Sequence, residues 1–257
     1  MSEVVKTAPH AAAPLKARRF GLYAQHESIV LMRRDCHVCR SEGLSSRAQV
    51  VLSAAGREVY ATLYQMDGDV LGLDEAALSE EAWRQLAVAP GDPVVVRHAP
   101  AIDSMSSVRR RIYGARLDEA AIRGVVQDVA AGRYTPIHLA AFLTATSVLP
   151  MDDAETVALT RAMVDVGDRL SWPSDIVMDK HCIGGLPGNR TTPIVVAILA
   201  ACGLVTPKTS SRAITSPAGT ADTMETLAPV DLDLPAMRRV VEAENGCVVW
   251  GGAVKLS

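Results

Sequence analysis

Between Leu15 and Val96 apolar and polar residues alternate with a period close to two, the spacing of half-buried strands. Residues 47–52 and 58–64 are expected to be strands, joined by a turn over 53–57. Residues 93–96 form a further expected strand after the turn Pro90-Gly91-Asp92. Between them, Ser79-Glu80-Glu81-Ala82-Trp83 has the chemistry of a helix start: a hydroxyl cap, then carboxylates near the positive end of the dipole. This part reads as a β-rich module, a small barrel. From Arg116 to Leu170 the period becomes helical. Ile122, Val125, Val126 and Val129 follow Asp118 as cap, and Thr135-Pro136 opens a helix that puts Leu139, Phe142 and Leu143 on one face. Asp152-Asp153-Ala154-Glu155 resembles a capping box, and Gly167 closes that helix. From Ser174 strands and helices alternate: strand 175–178, apolar helix 192–202 closed by Gly203, strand 204–207, helices 221–227 and 235–243, strand 247–250. That order implies a largely parallel sheet, which binds ligands at the C-terminal ends of its strands. The expected division is a disordered tail over 1–14, the β-rich module over 15–100, an all-α helical subdomain over 101–172, and the start of an α/β phosphate-binding domain over 173–257.

Composition narrows the function. The 257 residues are 49% hydrophobic and 21% charged, with a net charge of -3 and 4% aromatics. Such a chain has neither the basic footprint nor the stacking platforms of a nucleic-acid binder. The apolar run 193–205 is too short to span a bilayer. The first fifteen residues lack the apolar core of a signal peptide, and five cysteines make an odd count, so reduced thiols in a cytoplasm are expected.

Two stretches concentrate donors for an anion. The first, after the strand at 175–178, runs Asp179-Lys180-His181-Cys182-Ile183-Gly184-Gly185-Leu186-Pro187-Gly188-Asn189-Arg190-Thr191-Thr192 and leads into a helix. Glycines admit backbone N–H groups close to an anion, the helix start adds partial positive charge, and Lys180 adds a full one. The run is neither a Walker A loop nor a dinucleotide turn. Gly-Gly and Pro-Gly also make ordinary turns. The second stretch, from Lys208 to Asp222, carries six hydroxyls and Arg212, and arginine grips phosphate bidentately. Its plainer reading is a solvated loop in which Thr220 caps the next helix.

Asp179-Lys180-His181-x-x-Gly184-Gly185 resembles the D-K-H-S-T-G-G signature of pyrimidine nucleoside phosphorylases. The runs 179–192 and 210–225 are similar throughout to the AMP phosphorylase and type 2 thymidine phosphorylase branch of the thymidine/AMP phosphorylase family. Members of that branch are longer and carry an extra N-terminal module, so the chain is expected to be an N-terminal half. The resemblance implies a pentosyltransferase that uses inorganic phosphate as co-substrate, without cofactor or metal. It implies a soluble homodimer or higher homo-oligomer acting on a small nucleoside or nucleotide, with no polymer or membrane partner. By resemblance, Lys180, Thr192, Ser210 and Thr220 hold phosphate, with Gly184 and Gly185 in the same loop, and His181 stands beside the base. Cys182 replaces a phosphate-binding serine; a thiol donates weakly, so backbone N–H groups take over its share. Gly185, Ser211, Arg212, Ala213, Ile214, Thr215, Ser216 and Thr220 match a nucleotide-binding stretch. Thymidine is the expected substrate. Ser211, Thr215 and Ser216 add donors for a 5′-phosphate, which keeps a nucleoside monophosphate as the alternative. Remaining base-binding residues fall beyond Ser257 in the family's pattern, so the chain alone is expected to be inactive.

The other residues have simpler readings. Cys36-His37-Val38-Cys39 lacks a second ligand pair at zinc-finger spacing, with His26 a remote candidate, and reads as an inert turn. His138 is assigned to the surface or a subunit contact, and Trp83 and Trp172 to packing. Lys208 either faces the phosphate or extends along the strand end, and Arg190 pairs with Asp179. Asp222 and Glu225 complement a helix start rather than bind magnesium. An anthranilate-phosphoribosyltransferase-like enzyme would share the second loop, but it calls for a Gly-Thr-Gly-Gly-Asp loop that 180–188 does not match. A non-enzymatic alternative makes the module at 15–96 an oligomerisation unit.

Overall fold

The structure is a computed structural model that describes residues 13–24, 27–181, 190–213 and 218–254. The chain forms two compact units, Met1–Glu155 and Thr156–Ser257. No helix among the described residues is long and apolar enough to cross a membrane.

The first unit opens with six strands: β1 (Leu15–Arg19), β2 (Ile29–Arg33), β3 (Gln49–Ala54), β4 (Arg57–Met66), β5 (Glu75–Leu78) and β6 (Pro93–His98). They close into a barrel in the order β1-β5-β2-β4-β3-β6. The pairs β1·β5 and β2·β4 are parallel, and the other four are antiparallel. Exchanging β1 with β4, β2 with β5 and β3 with β6 maps this ring, with its parallel and antiparallel pairs, onto itself. The barrel therefore has the topology of a two-fold repeat, and closure leaves no strand edge unpaired. Inward residues such as Val30, Met32, Leu52, Leu63, Val94 and Val96 are fully buried. The expected turn at 53–57 tightens to Ala55 (φ 48°) and Gly56 (φ 76°). Two central residues with positive φ match the twist of a hairpin, and glycine takes such a φ without steric cost.

Two helices attach to the barrel. Before α2 (Glu80–Leu86), Ser79 Oγ accepts from Ala82 N at 3.4 Å and from Ile29 N at 3.0 Å. The cap thus ties the helix to β2, and Trp83 packs on the barrel core. The Cys36–Cys39 stretch is a short helix rather than a turn: α1 (His37–Ser41) is capped by Cys36 Sγ, which accepts from Cys39 N at 3.3 Å. Both thiols are buried in the barrel core, the environment of a small apolar side chain. His26 lies outside the described residues.

Helices α3 (Met105–Ile112), α4 (Glu119–Ala130), α5 (Pro136–Val148) and α6 (Asp153–Val166) follow, and the boundary between the two units falls within α6. Asp118 Oδ1 caps α4 by accepting from Ala121 N at 2.8 Å, and Ile122, Val125 and Val126 are buried. Thr135 caps α5 with Pro136 in its first turn. His138 completes that cap: its Nδ1 accepts from Thr135 N at 3.3 Å, and its ring stands edge-on to Tyr134. The half-buried ring thus has a part in the helix cap that its place in the sequence did not announce. Leu143, expected on the buried face with Phe142, is 61% exposed. α5 is apolar nearly all round, so its period selects no face.

In the second unit, α7 (Thr191–Ala201) and α8 (Thr220–Glu225) precede α9 (Leu234–Glu244), and β7 (Thr206–Ser210) pairs parallel with β8 (Gly246–Trp250). The strand expected at 175–178 is reduced to one parallel bridge, Val177 to Val205, with Met178 N donating to Val205 O at 2.8 Å. The strand expected at 204–207 runs instead from Thr206 to Ser210, which moves Lys208, Thr209 and Ser210 from loop to strand. Met237, Val241, Cys247 and Val249 form the core, with Trp172 packed against it and Arg238 stacked over the Trp172 ring.

Glu155 anchors the helices of the first unit. Its carboxylate and Asp152 make the expected reciprocal capping box. It also pairs with the guanidinium of Arg111, accepts from Arg116 Nη1 at 2.7 Å and accepts from Leu117 N at 2.8 Å. The Glu155 side chain is 3% exposed and that of Arg111 is 0% exposed. Burial pushes the Glu155 carboxyl up, but the Leu117 and Asp152 N–H groups and the two arginines outweigh it and hold its pKa at about 2. A carboxyl depressed from its ordinary 4.5 stabilises the fold above that value, and the contribution is lost as pH falls toward 2. Glu155→Gln leaves Arg111 buried without its counter-charge and is expected to cost roughly 3–5 kcal/mol at neutral pH. Thermal melts from pH 6 to pH 2 should show a steep loss of stability for the wild type below about pH 4.5. The variant, already destabilised, should show a flatter profile.

Candidate functional site

The bridge at Val177 and the β7·β8 ladder are all parallel, so Asp179 and the residues after Ser210 leave the sheet from the same side. On the first segment, Lys180 Nζ donates to Thr191 Oγ1 at 3.1 Å and to Thr192 Oγ1 at 2.9 Å. These threonines open α7, where the helix dipole is positive, and Thr192 is 1% exposed. Asp179 is paired not with the expected Arg190 but with His181 through Oδ2 and with Lys208 Nζ through Oδ1, the latter at 3.5 Å. Burial raises the Asp179 carboxyl, but the charges of Lys208 and His181 outweigh it and hold it below the ordinary carboxylate range. Cys182, Gly184 and Gly185 lie outside the described residues.

The second segment is held at both ends by one carboxylate. Asp222 Oδ2 accepts from Ala213 N at 2.7 Å and from Gly219 N at 2.8 Å, while Ser211 O accepts from Ala221 N at 3.3 Å. Ile214, Thr215 and Ser216, which lie between these ends, are outside the described residues. Arg212 bonds to Asp222 and twice to Glu225, and its guanidinium stacks over Trp250 at 4.8 Å. Glu225 closes α8 rather than opening it, so its charge answers Arg212 and not the helix dipole. Thr220 is buried in the first turn of α8, and the helix cap is Gly219. Ser210 ends β7, and its hydroxyl donates to Ser211 O at 3.4 Å.

The structure therefore brings Lys180 together with Thr192 and adds Thr191. It links this loop to β7 through Asp179 and Lys208, and it gathers Arg212, Ala213 and Gly219 around Asp222. Asp179 and Asp222 were absent from the expected site residues, and Lys208, expected either to face the phosphate or to extend along the strand end, instead meets Asp179. The run Asp179-Lys180-His181 carried Asp179 in plain view, but only strand pairing shows which cation it meets.

A helical bundle followed in the chain by an α/β unit, whose parallel strands end in donor-rich segments, defines the class. The sequence model described as "Glycosyl transferase family, helical bundle domain" matches residues 106–167, and that described as "Glycosyl transferase family, a/b domain" matches residues 174–255. The chain belongs to this glycosyl transferase family. It is 64% identical over 258 residues to "Putative thymidine phosphorylase" of Chelativorans sp. (strain BNC1), covering 100% of this chain and 51% of that protein. It is 64% identical over 243 residues to a protein of the same name from Parvibaculum lavamentivorans, covering 95% of this chain and 48% of the relative. The chain thus spans about half the length of the curated relatives it matches. Among solved structures, anthranilate phosphoribosyltransferase from Thermus thermophilus is 26% identical, with a TM-score of 0.48, over 58% of this chain and 46% of that one.

Gly219 sets the geometry of the second segment. A Cβ there would lie 2.5 Å from Arg212 C, 2.7 Å from Ser211 O and 2.8 Å from Ala213 N, all backbone atoms that cannot rotate away. Gly219→Ala is expected to push the two ends apart at a cost of roughly 1–3 kcal/mol. Denaturant unfolding should show that loss, and hydrogen exchange should show faster exchange of the Ala213 and Ala221 amides.

Proposed function

We propose that the chain supplies the phosphate side of a nucleoside phosphorylase, a pentosyltransferase that converts thymidine and phosphate into thymine and 2-deoxyribose 1-phosphate. The observation that carries this reading is the Lys180 ammonium bonded to the Thr191 and Thr192 hydroxyls at the start of α7. A full charge, hydroxyl groups and a helix N-terminus together make a preorganised oxyanion seat. Membership of a glycosyl transferase family and the names of the relatives support the same chemistry.

In the reaction an oxygen of phosphate bonds to C1′ as the C1′–N1 bond breaks. The electron pair leaves with the pyrimidine, which takes up a proton. Holding the dianion against C1′ lowers the entropic part of the barrier to this bimolecular step, so positioning supplies much of the rate. Lys180 and the hydroxyls of Thr192, Ser210 and Thr220 hold phosphate in this reading. His181, oriented by Asp179, stands toward the departing base as donor or orienter. Arg212, committed to Asp222 and Glu225, is left out of ligand binding.

Calorimetric titration of the chain with inorganic phosphate tests the seat. Lys180→Met should weaken binding at least about tenfold, a loss of one charge-assisted contact, without lowering the melting temperature. Equal affinity in the variant and the wild type would sink the reading. Release of thymine from thymidine and phosphate, measured on the chain extended to the length of its relatives, tests the substrate.

A further inference from the structure

Lys208 has no part in the reading above, yet its setting is unusual for a lysine. It sits on β7 opposite Val248 of β8, and its side chain is 8% exposed. Among the described residues, Asp179 is the one charged partner of its ammonium. A buried ammonium is costly to keep charged without a counter-ion. The same Asp179 carboxylate holds His181 with its other oxygen, and it is the residue immediately before Lys180. A carboxylate is thus fixed at the root of the segment that carries the proposed phosphate ligand. Unbalanced, it would repel a phosphate dianion and compete with it for Lys180.

We propose that Lys208 is the counter-charge of the phosphate site, a positioning residue that neutralises Asp179 so that this carboxylate orients His181 without opposing the anion. The proposal rests on the phosphate reading. It assigns the buried position a purpose that a neutral side chain of similar length cannot serve. Lys208 is rigidly placed by a strand, whereas Lys180 belongs to the ligand-binding segment, so one cation serves the protein's own carboxylate and the other serves the ligand.

The test is the affinity for inorganic phosphate of the whole chain and four variants: Lys208→Met, Lys208→Arg, Asp179→Asn and the double variant Lys208→Met/Asp179→Asn. Lys208→Met should weaken phosphate binding at least about tenfold. Lys208→Arg keeps the charge and should stay within about threefold of the wild type. The double variant removes the carboxylate along with its partner and should recover most of the lost affinity. A purely structural lysine predicts no such rescue, because a second substitution then adds damage. Unchanged affinity in Lys208→Met, or a double variant as weak as Lys208→Met, would overturn the proposal while leaving the phosphate seat intact. A wild type that binds no phosphate removes the seat and this proposal with it. Should Lys208→Met fail to fold, Lys208→Arg and Asp179→Asn still decide: loss of affinity in Lys208→Arg to the level of Lys180→Met, or weaker binding in Asp179→Asn, counts against the counter-charge.

Discussion

Val177 pairs parallel to Val205, and β7 pairs parallel to β8, so the segments that follow these strands emerge from one side of the sheet. Residues far apart in the chain then share one neighbourhood. Parallel pairing requires a crossover between strands, and α7 and α9 provide it. The start of α7 lies just after the first donor segment, which places its positive end beside Lys180. This register sets where Lys180 meets the Thr191 and Thr192 hydroxyls.

Charge pairing then decides how the many polar groups of the two segments are arranged. Arg212 pairs with Asp222 and Glu225 and stacks over Trp250. Its work is to fix the base of the second segment. Asp222 performs the complementary task, accepting an N–H from either end of that segment. Asp179 divides its two oxygens between His181 and Lys208. Each of these carboxylates organises backbone or side-chain donors, which fixes the geometry of its segment.

The barrel and the helices that follow it solve a different problem, the burial of polar and reactive groups. A closed ring of six strands hides every edge and buries both thiols of Cys36 and Cys39. In the helical part, Glu155 gathers two arginines and two backbone N–H groups, so one buried carboxylate fastens α6 to α3 and to the residue before the α4 cap. Such a hub is strongly coupled: removing one member exposes the others to an unpaired burial.

The sequence by itself determined the elements whose signals are local. Caps at Ser79, Asp118, Thr135 and the Asp152–Glu155 box all lie where hydroxyls, carboxylates and a proline announce them, because a cap needs only its own first turn. The strands β3, β4, β6 and β8 follow from alternation or from β-branched runs, and the two donor-rich segments follow from composition. Tertiary structure decided the rest. The strands β1, β2 and β5 are short and gain their ladders only from partners distant in sequence, so their local patterns did not fix them as separate strands. The face of α5 is set by its neighbours, since its own period is nearly uniform. Above all, the partner of each charge depends on strand register, and that is why Lys208 and Asp222 became visible as organising residues only once the chain was folded.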